Sequence, residues 1–447
     1  MNRILLAGAL VALSTLLITA SLQAQSTAQK SDDVASLEQL SQAAYGAEDW
    51  NRFMEVNHRL RELRPYEPEY MYNLVRAHSL LGDKTAAYNI MVAMQRQGIS
   101  YDFNQTDDSL NIRKTELYNY LNNMMTDAGK PLGIATVAFV LPGDPADYSS
   151  ITWESSRDKF LVGTLSEGLI LAVSEDGSSE TLLKASEENG LWSIMGMAAD
   201  PDRNRLWVSS AATPSFSGFS TSDKNRNALF EFKLDTLELV RQLHVPVLGG
   251  SQELGSLAVT DDGHVYVIDR ARPVVYRKTP AGDRLEGYVA SSDLVALGDI
   301  AVTPDNSRLF ISDSAMGVFV VDPVAEQTAM LDGPENLNLG GIEGIEYSNG
   351  QLIIVQGRMR PQRVMRLTLS ANGAGVETIG FLVVGKAEFD HPGRGVIRGS
   401  DLFYFANPGA ENSTAGAIVM RTPLDAGDAI VKPTIEQLQK ALKPRQK

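Results

Sequence analysis

The sequence predicts an α + all-β multidomain chain: N-terminal α-helical repeats followed by a six-bladed β-propeller. Three observations predict it. Residues 31–127 carry helical periodicity with a recurring turn, a short β motif recurs six times further on, and an apolar leader precedes both.

The leader is read first. Met1-Asn2-Arg3 is a short basic start, Ile4 to Ile18 is apolar, and Leu22-Gln23-Ala24 precedes Gln25-Ser26-Thr27. That is the order of a signal peptide, residues 1–24, with cleavage after Ala24. The apolar run is shorter than the roughly 20 residues a membrane span needs. The expectation is therefore a periplasmic or secreted protein with no membrane span after leader cleavage. The chain has no cysteine, which excludes disulfides, thiolate metal sites and a cysteine nucleophile. Its formal net charge is -15, and loss of Arg3 with the leader makes it -15 minus 1, or -16. Such an acidic chain is a poor partner for nucleic acid or an anionic membrane.

Within residues 31–127, Gly46-Ala47-Glu48-Asp49-Trp50 marks one helix–helix turn and Gly82-Asp83-Lys84-Thr85-Ala86 marks another, 36 residues later. Pro65 and Pro68 start a unit that continues through Tyr70, Tyr72, Asn73, Leu74, Ala77 and Leu80-Leu81-Gly82. Ala86, Ala87, Ile90 and Met94 follow at helical spacing. This pattern resembles the tetratricopeptide repeat, with a period of about 34 residues. Asp107 to Met125 reads as a degenerate third unit. Met71, Met91, Met94, Met124 and Met125 read as core packing.

Composition changes near Gly129-Lys130-Pro131, and the propeller is placed at residues 131–425. The recurring motif is Lys159-Phe160-Leu161-Val162-Gly163, then Arg205 to Ser209, His264 to Ile268, Arg308 to Ser312, Gln351 to Val355 and Asp401 to Phe405. Counted from the second residue of each, the spacings are 46, 59, 44, 43 and 50. Six even repeats bounded by turn residues argue for six four-stranded blades around an axis. The last blade lacks a strand, and Ala135 to Val140 is expected to complete it. Thr434 to Leu442, within the tail at 434–447, reads as a short amphipathic helix.

The propeller resembles the gluconolactonase-like (senescence marker protein) superfamily. The residues that carry the resemblance are Asp299 to Asp313, Gly341-Ile342-Glu343-Gly344-Ile345 and Phe389-Asp390-His391-Pro392. It implies one divalent cation, calcium or zinc, at the axis, held by acidic or amide residues just before the innermost strands. Those places here are about Ser149, Met195, Gly255, Gly298, Glu343 and Arg394. Glu343 is the usual kind of ligand and Asp299 is one residue out of register. A hard cation takes six or more oxygens, so this is a thin ligand set. His391 or Arg394 would polarise the substrate.

No phosphate-binding loop, dinucleotide fingerprint, His-Glu-x-x-His or Gly-x-Ser-x-Gly is present. In a propeller, the loop after each second strand lies on the same face as the start of each innermost strand. That places Arg270, Arg272, Arg358, Arg360, Arg363, His391 and Arg394 on one face. Arginine forks suit carboxylate or phosphate. The same face carries an insertion in blade two, from Ser209 to Asn227, with Phe216 and Phe219 inside. The sequence is read as an exported binding protein whose helical repeats and propeller face take a protein partner or an anionic small molecule. The alternative is a metal-dependent lactonase or esterase.

Overall fold

The computed structural model describes residues 33–246, 250–410 and 415–427. The predicted leader and tail helix lie outside these. The chain forms two compact units, one of residues up to 92 with 103–120, the other of residues 93–102 with 121 onward.

In the first unit, helices run over Val34–Gly46 (α1), Trp50–Leu63 (α2), Pro68–Leu80 (α3) and Lys84–Arg96 (α4), and a further helix, Glu116–Asp127 (α5), runs on past the unit. Short acidic caps start them. Asp33 accepts from the Ser36 N–H, Asp49 from Arg52 and Asp83 from Ala86, each satisfying an otherwise orphaned first-turn donor. Pro68 begins α3, where its missing N–H costs nothing. Both glycine-bearing turns fall between helices, and Gly82 takes φ +79, a conformation that favours glycine. Leu37, Val56, Leu60 and Tyr70 form one buried seam, and Ala44, Phe53 and Ala77 another. Met71, Met91, Met94 and Met125 are buried, as expected of core residues, while Met124 is only half-buried. The span Asp107 to Met125 is helical only from Glu116. Before that, Thr106 caps a single 3-10 turn at Asp107–Ser109, because its hydroxyl draws the Asp108 N–H.

The second unit is a six-bladed β-propeller. Blade one runs Tyr148–Glu154, Lys159–Thr164, Leu169–Val173 and Ser179–Lys184. Blade two runs Ser193–Asp200, Arg205–Ala211, Asn227–Lys233 and Leu239–His244. Blade three runs Leu254–Val259, Val265–Asp269, Val274–Lys278 and Glu286–Ala290. Blade four runs Leu297–Val302, Leu309–Asp313, Gly317–Asp322 and Gln327–Met330. Blade five runs Ile342–Ser348, Gln351–Gln356, Arg363–Leu369 and Val376–Val384, with Leu132–Gly133 added at its edge. Blade six runs Gly395–Arg398, Asp401–Phe405 and Ala417–Pro423, and Thr136–Leu141 completes it as the outermost strand. Pairing early chain with late chain closes the ring and removes a free sheet edge.

The recurring motif is the second strand of each blade. Its apolar residues pack between neighbouring blades: Phe160 and Phe403 share one buried cluster, and Leu309 and Ile311 sit with Tyr266 and Ile268 in another. The residue that follows each of the first five motifs is polar, whereas Ala406 follows the sixth. Thr164, Ser210, Asp269, Asp313 and Gln356 are buried polar residues. Ser210 accepts from the Trp192 N–H and Asp269 from Glu253 and Ala271. Asp313 accepts from Val295, Ala296, Ala315 and Met316. These bonds tie loops of one face to the blade, giving buried main-chain donors the partners they require.

Asp313→Ala would leave those four N–H groups without their carboxylate. It is expected to lower the unfolding free energy by about 3 kcal/mol, read by urea unfolding followed by tryptophan emission. A loss below about 1 kcal/mol would contradict this role.

Candidate functional site

The propeller axis is built from irregularity. The inner strand of each of blades one to five breaks register at its start, between Tyr148 and Ser150, Ile194 and Gly196, Leu254 and Leu257, Leu297 and Ile300, and Ile342 and Gly344. Such bulges leave backbone groups outside the ladder. The residues they free include Ser149, Met195, Gly255, Gly298 and Glu343, the positions the sequence places at the axis. Glycine is needed beside them. A Cβ on Gly344 would sit 2.9 Å from the Gly393 carbonyl, and one on Gly196 would sit 2.8 Å from the Gly255 carbonyl.

Arg394, at the same place in blade six, fills the axis. Its Nη1 donates to the carbonyls of Ser149 at 3.0 Å and Met195 at 2.5 Å, and its Nη2 to that of Gly298 at 3.4 Å. Burial pulls its pKa below the ordinary arginine value. Asp299 and Glu343 act against that shift and Arg270 adds to it.

The two expected metal ligands are otherwise engaged. Asp299 is buried; its carboxylate accepts from the Ser256 hydroxyl and from the N–H groups of Ile345 and Ile300, each at 3.0 Å for the amides. It therefore does not swing to the axis, because it is fixed by blades three, four and five. Glu343 pairs with Arg358 at 2.5 Å. Among the described residues no three His, Asp or Glu side chains group as a metal site. With three axial carbonyls bonded to a guanidinium, the donors do not fit a hard divalent cation, which wants six or more free oxygens.

The other arginines separate by burial. Arg363 was expected on the open face, but it is buried. Its Nε donates to Gln356 at 2.6 Å and its Nη1 to the carbonyls of Gln97 at 3.0 Å and Gly98 at 3.2 Å. Those carbonyls follow the end of α4, where the helix dipole is negative. Burial still pulls the Arg363 pKa down to about 9. Arg272 is paired with the buried Asp269 at 3.2 Å and donates to the Ser251 carbonyl. Arg358, Arg360 and Arg270 are exposed. Arg360 lies over the Tyr101 ring, 5.6 Å from its centre. Arg270 is only loosely paired with Glu253, at 3.9 Å. His391 is exposed at φ +55 and beside Asp390, at 3.1 Å.

One acid escaped the sequence reading. Glu346, on the inner strand of blade five, has its carboxyl pushed well above the usual range by burial, with Asp299 adding to the shift. Strand alternation from Glu343 puts it out of phase with the expected ligand position, so only the folded packing exposes its role.

No known protein family matches the sequence, and no curated protein does. Among solved structures, the chain is similar to a gluconolactonase from Xanthomonas campestris, at 16% identity over 66% of this chain and 95% of that one, with a TM-score of 0.45. It is also similar to a PQQ-bound aldose sugar dehydrogenase from Streptomyces coelicolor, at 15% over 66% and 98%, TM-score 0.45. A streptogramin B lyase gives 11% over 66% and 98%, TM-score 0.43.

Because the fold holds the Glu346 proton more tightly than the unfolded chain does, ionising it costs stability. That stability is present at acid pH and is lost as pH rises through the raised pKa. Glu346→Gln, which mimics the protonated form, is expected to raise the urea midpoint at pH 8 and leave it unchanged at pH 4. An equal effect at both would contradict a half-buried, proton-holding carboxyl.

Proposed function

We propose that this chain is an exported binding protein, with the arginine-bearing face of its propeller taking an acidic segment of a partner or an anionic small molecule. The observation that carries this reading is the Arg394 guanidinium hydrogen-bonded to the axial carbonyls of Ser149, Met195 and Gly298. It puts a tethered cation where a catalytic metal would need open oxygens.

Magnitudes decide which arginines are available. Arg358 is 68% exposed and Glu343 30%. A pair that open is worth about 0–1 kcal/mol, so a ligand carboxylate can displace Glu343 at little cost. Arg270 and Arg360 are in the same position. Arg272 and Asp269, at 14% and 0% exposed, are different. Separating them would leave a buried charge unpaired, at about 3–5 kcal/mol. The working cations are thus Arg358, Arg360 and Arg270, with His391 beside them.

The helical unit offers a second surface. A cavity of about 450 Å³ there is lined by Glu38, Tyr45, Asn57, Tyr70, Asn73 and Arg76. Asn73 donates to Asn57 at 3.1 Å, and Arg76 donates to Asn73 at 2.9 Å and to Asp108 at 2.7 Å. We take it as a groove for an extended peptide, in keeping with a tetratricopeptide-like repeat, since amide side chains in a groove can pair with peptide backbone.

The second reading is a lactone- or ester-cleaving enzyme. It is favoured by the carboxyls of Asp299 and Glu343 acting on Arg394. Calorimetric titration with calcium, zinc and manganese separates the two. The binding reading expects no site tighter than millimolar, and a micromolar site with turnover of a lactone would replace it. It also expects Arg358→Glu with Arg360→Glu to abolish capture of an acidic peptide in a pull-down. Unchanged capture would remove the arginine face from consideration.

A further inference from the structure

Blade two carries an insertion, residues 212–226, between its second and third strands. It is tied down along its length. The Ala212 N–H donates to the Arg226 carbonyl at 2.8 Å and the Ser217 N–H to Ser166 at 2.7 Å. Ser220 and Asp223 cap each other in its middle. Asn225 donates to the Gly250 carbonyl and accepts from the Gln252 N–H at 3.1 Å. Phe216 is thereby brought edge-on to Trp192, with ring centres 5.1 Å apart at 62°.

Beside this insertion lies a cavity of about 470 Å³, lined among others by Trp192, Arg226, Asn227, Phe230, Gln242 and His244. Its size is within the range of small-ligand sites. Its wall has an unusual composition. Trp192 is half-buried; its backbone N–H donates to the Ser210 hydroxyl, and its indole is held edge-on by the Phe216 ring. Gln242 and His244 stand two apart on the outer strand, hence on one side of it, and are exposed. Neither side chain hydrogen-bonds to any described residue. The Asn227 Oδ1 is buried with no partner among the described residues, although its Nδ2 donates to the Asn225 carbonyl. A buried acceptor left open calls for a donor from elsewhere.

We propose that this cavity is a saccharide-binding site. A fixed indole offers an apolar face to the C–H side of a pyranose ring, in the way aromatic rings pair flat contact with a polar rim. Planar amides such as those of Asn227 and Gln242 suit vicinal hydroxyls, which donate and accept together. The volume takes two or three sugar units. Arg226, 5.8 Å from the Trp192 ring centre, stands at the rim and admits an acidic sugar as well as a neutral one. The site is separate from the axial arginines and does not depend on the binding role proposed for them.

The test is calorimetry and tryptophan emission on the full chain with chitotetraose, maltotetraose and cellotetraose, to millimolar concentration. At least one is expected to bind and shift the emission. Trp192→Ala is expected to weaken that binding at least tenfold. Gln242→Ala, at an exposed position that leaves folding alone, is expected to weaken it several-fold. Arg358→Glu should leave it unchanged, which separates this site from the arginine face. No binding by any of the three, or binding unaffected by both Trp192→Ala and Gln242→Ala, would overturn the proposal. So would an emission shift by an acidic peptide with none by the sugars.

Discussion

Five bulged inner strands leave main-chain carbonyls turned away from their ladders at the propeller axis, and those carbonyls must be given donors. An unpaired buried carbonyl costs about 1–3 kcal/mol, and several sit close together here. A metal ion with supporting carboxylates is one way to satisfy them. This chain uses another: the sixth blade contributes Arg394, and one guanidinium serves three carbonyls from blades one, two and four. The choice has consequences. Arginine stays charged, so the axis holds a permanent cation whose desolvation is offset by carbonyl dipoles and by the nearby Asp299 and Glu343. The same bulges that would open a coordination site instead accept a side chain.

Arg363 shows the same solution in a drier place. Among the described residues it has no carboxylate partner. It is held by the Gln356 amide, two carbonyls at the end of α4 and the face of Phe381. A buried charge costs several kcal/mol unless geometry compensates it, and the helix dipole supplies a partial negative charge of about one half. Arg363 and Arg394 are thus structural cations, while Arg358, Arg360 and Arg270 keep their charge in solvent. In an acidic chain, this division concentrates recognisable positive charge at a few exposed points.

Much of the propeller was legible in the sequence because its second strands are buried on both sides and so read as continuous apolar runs. Their spacing gave the blade count, and the unpaired apolar strand near residue 137 gave the closure. The axial positions were legible too, since each stands a fixed distance before a recognisable strand. What a residue at such a position does was not. Asp299, one residue along, reads as a ligand able to swing in, but the bulge turns it between blades toward Ser256 and Ile345. Arg363 reads as a loop arginine, yet it begins a strand and is covered by residues 97 and 98, more than 260 positions away in sequence. No local pattern carries that contact.

The loops of this face can differ in length because their ends are fixed independently of their middles. The acidic residues closing the second strands of blades three and four bind main-chain amides directly, Asp269 two of them and Asp313 four. Closing a longer loop costs only about 0.6 kcal/mol per doubling of length, far less than those bonds return. Blade two therefore carries residues 212–226 without disturbing its ladder, which runs in register from Arg205 to Ala211 against Asn227 to Lys233. The insertion's cost is small, but the ordering of Phe216 against Trp192 and of Asn225 against Gln252 is not free. Side chains held in that way lose rotamer freedom, and four separate tethers exceed what a merely tolerated loop requires. The blade with the longest loop is also the one whose outer strand leaves the Gln242 and His244 side chains without hydrogen-bond partners among the described residues beside a cavity, so the tethers order the wall of a site rather than the blade itself.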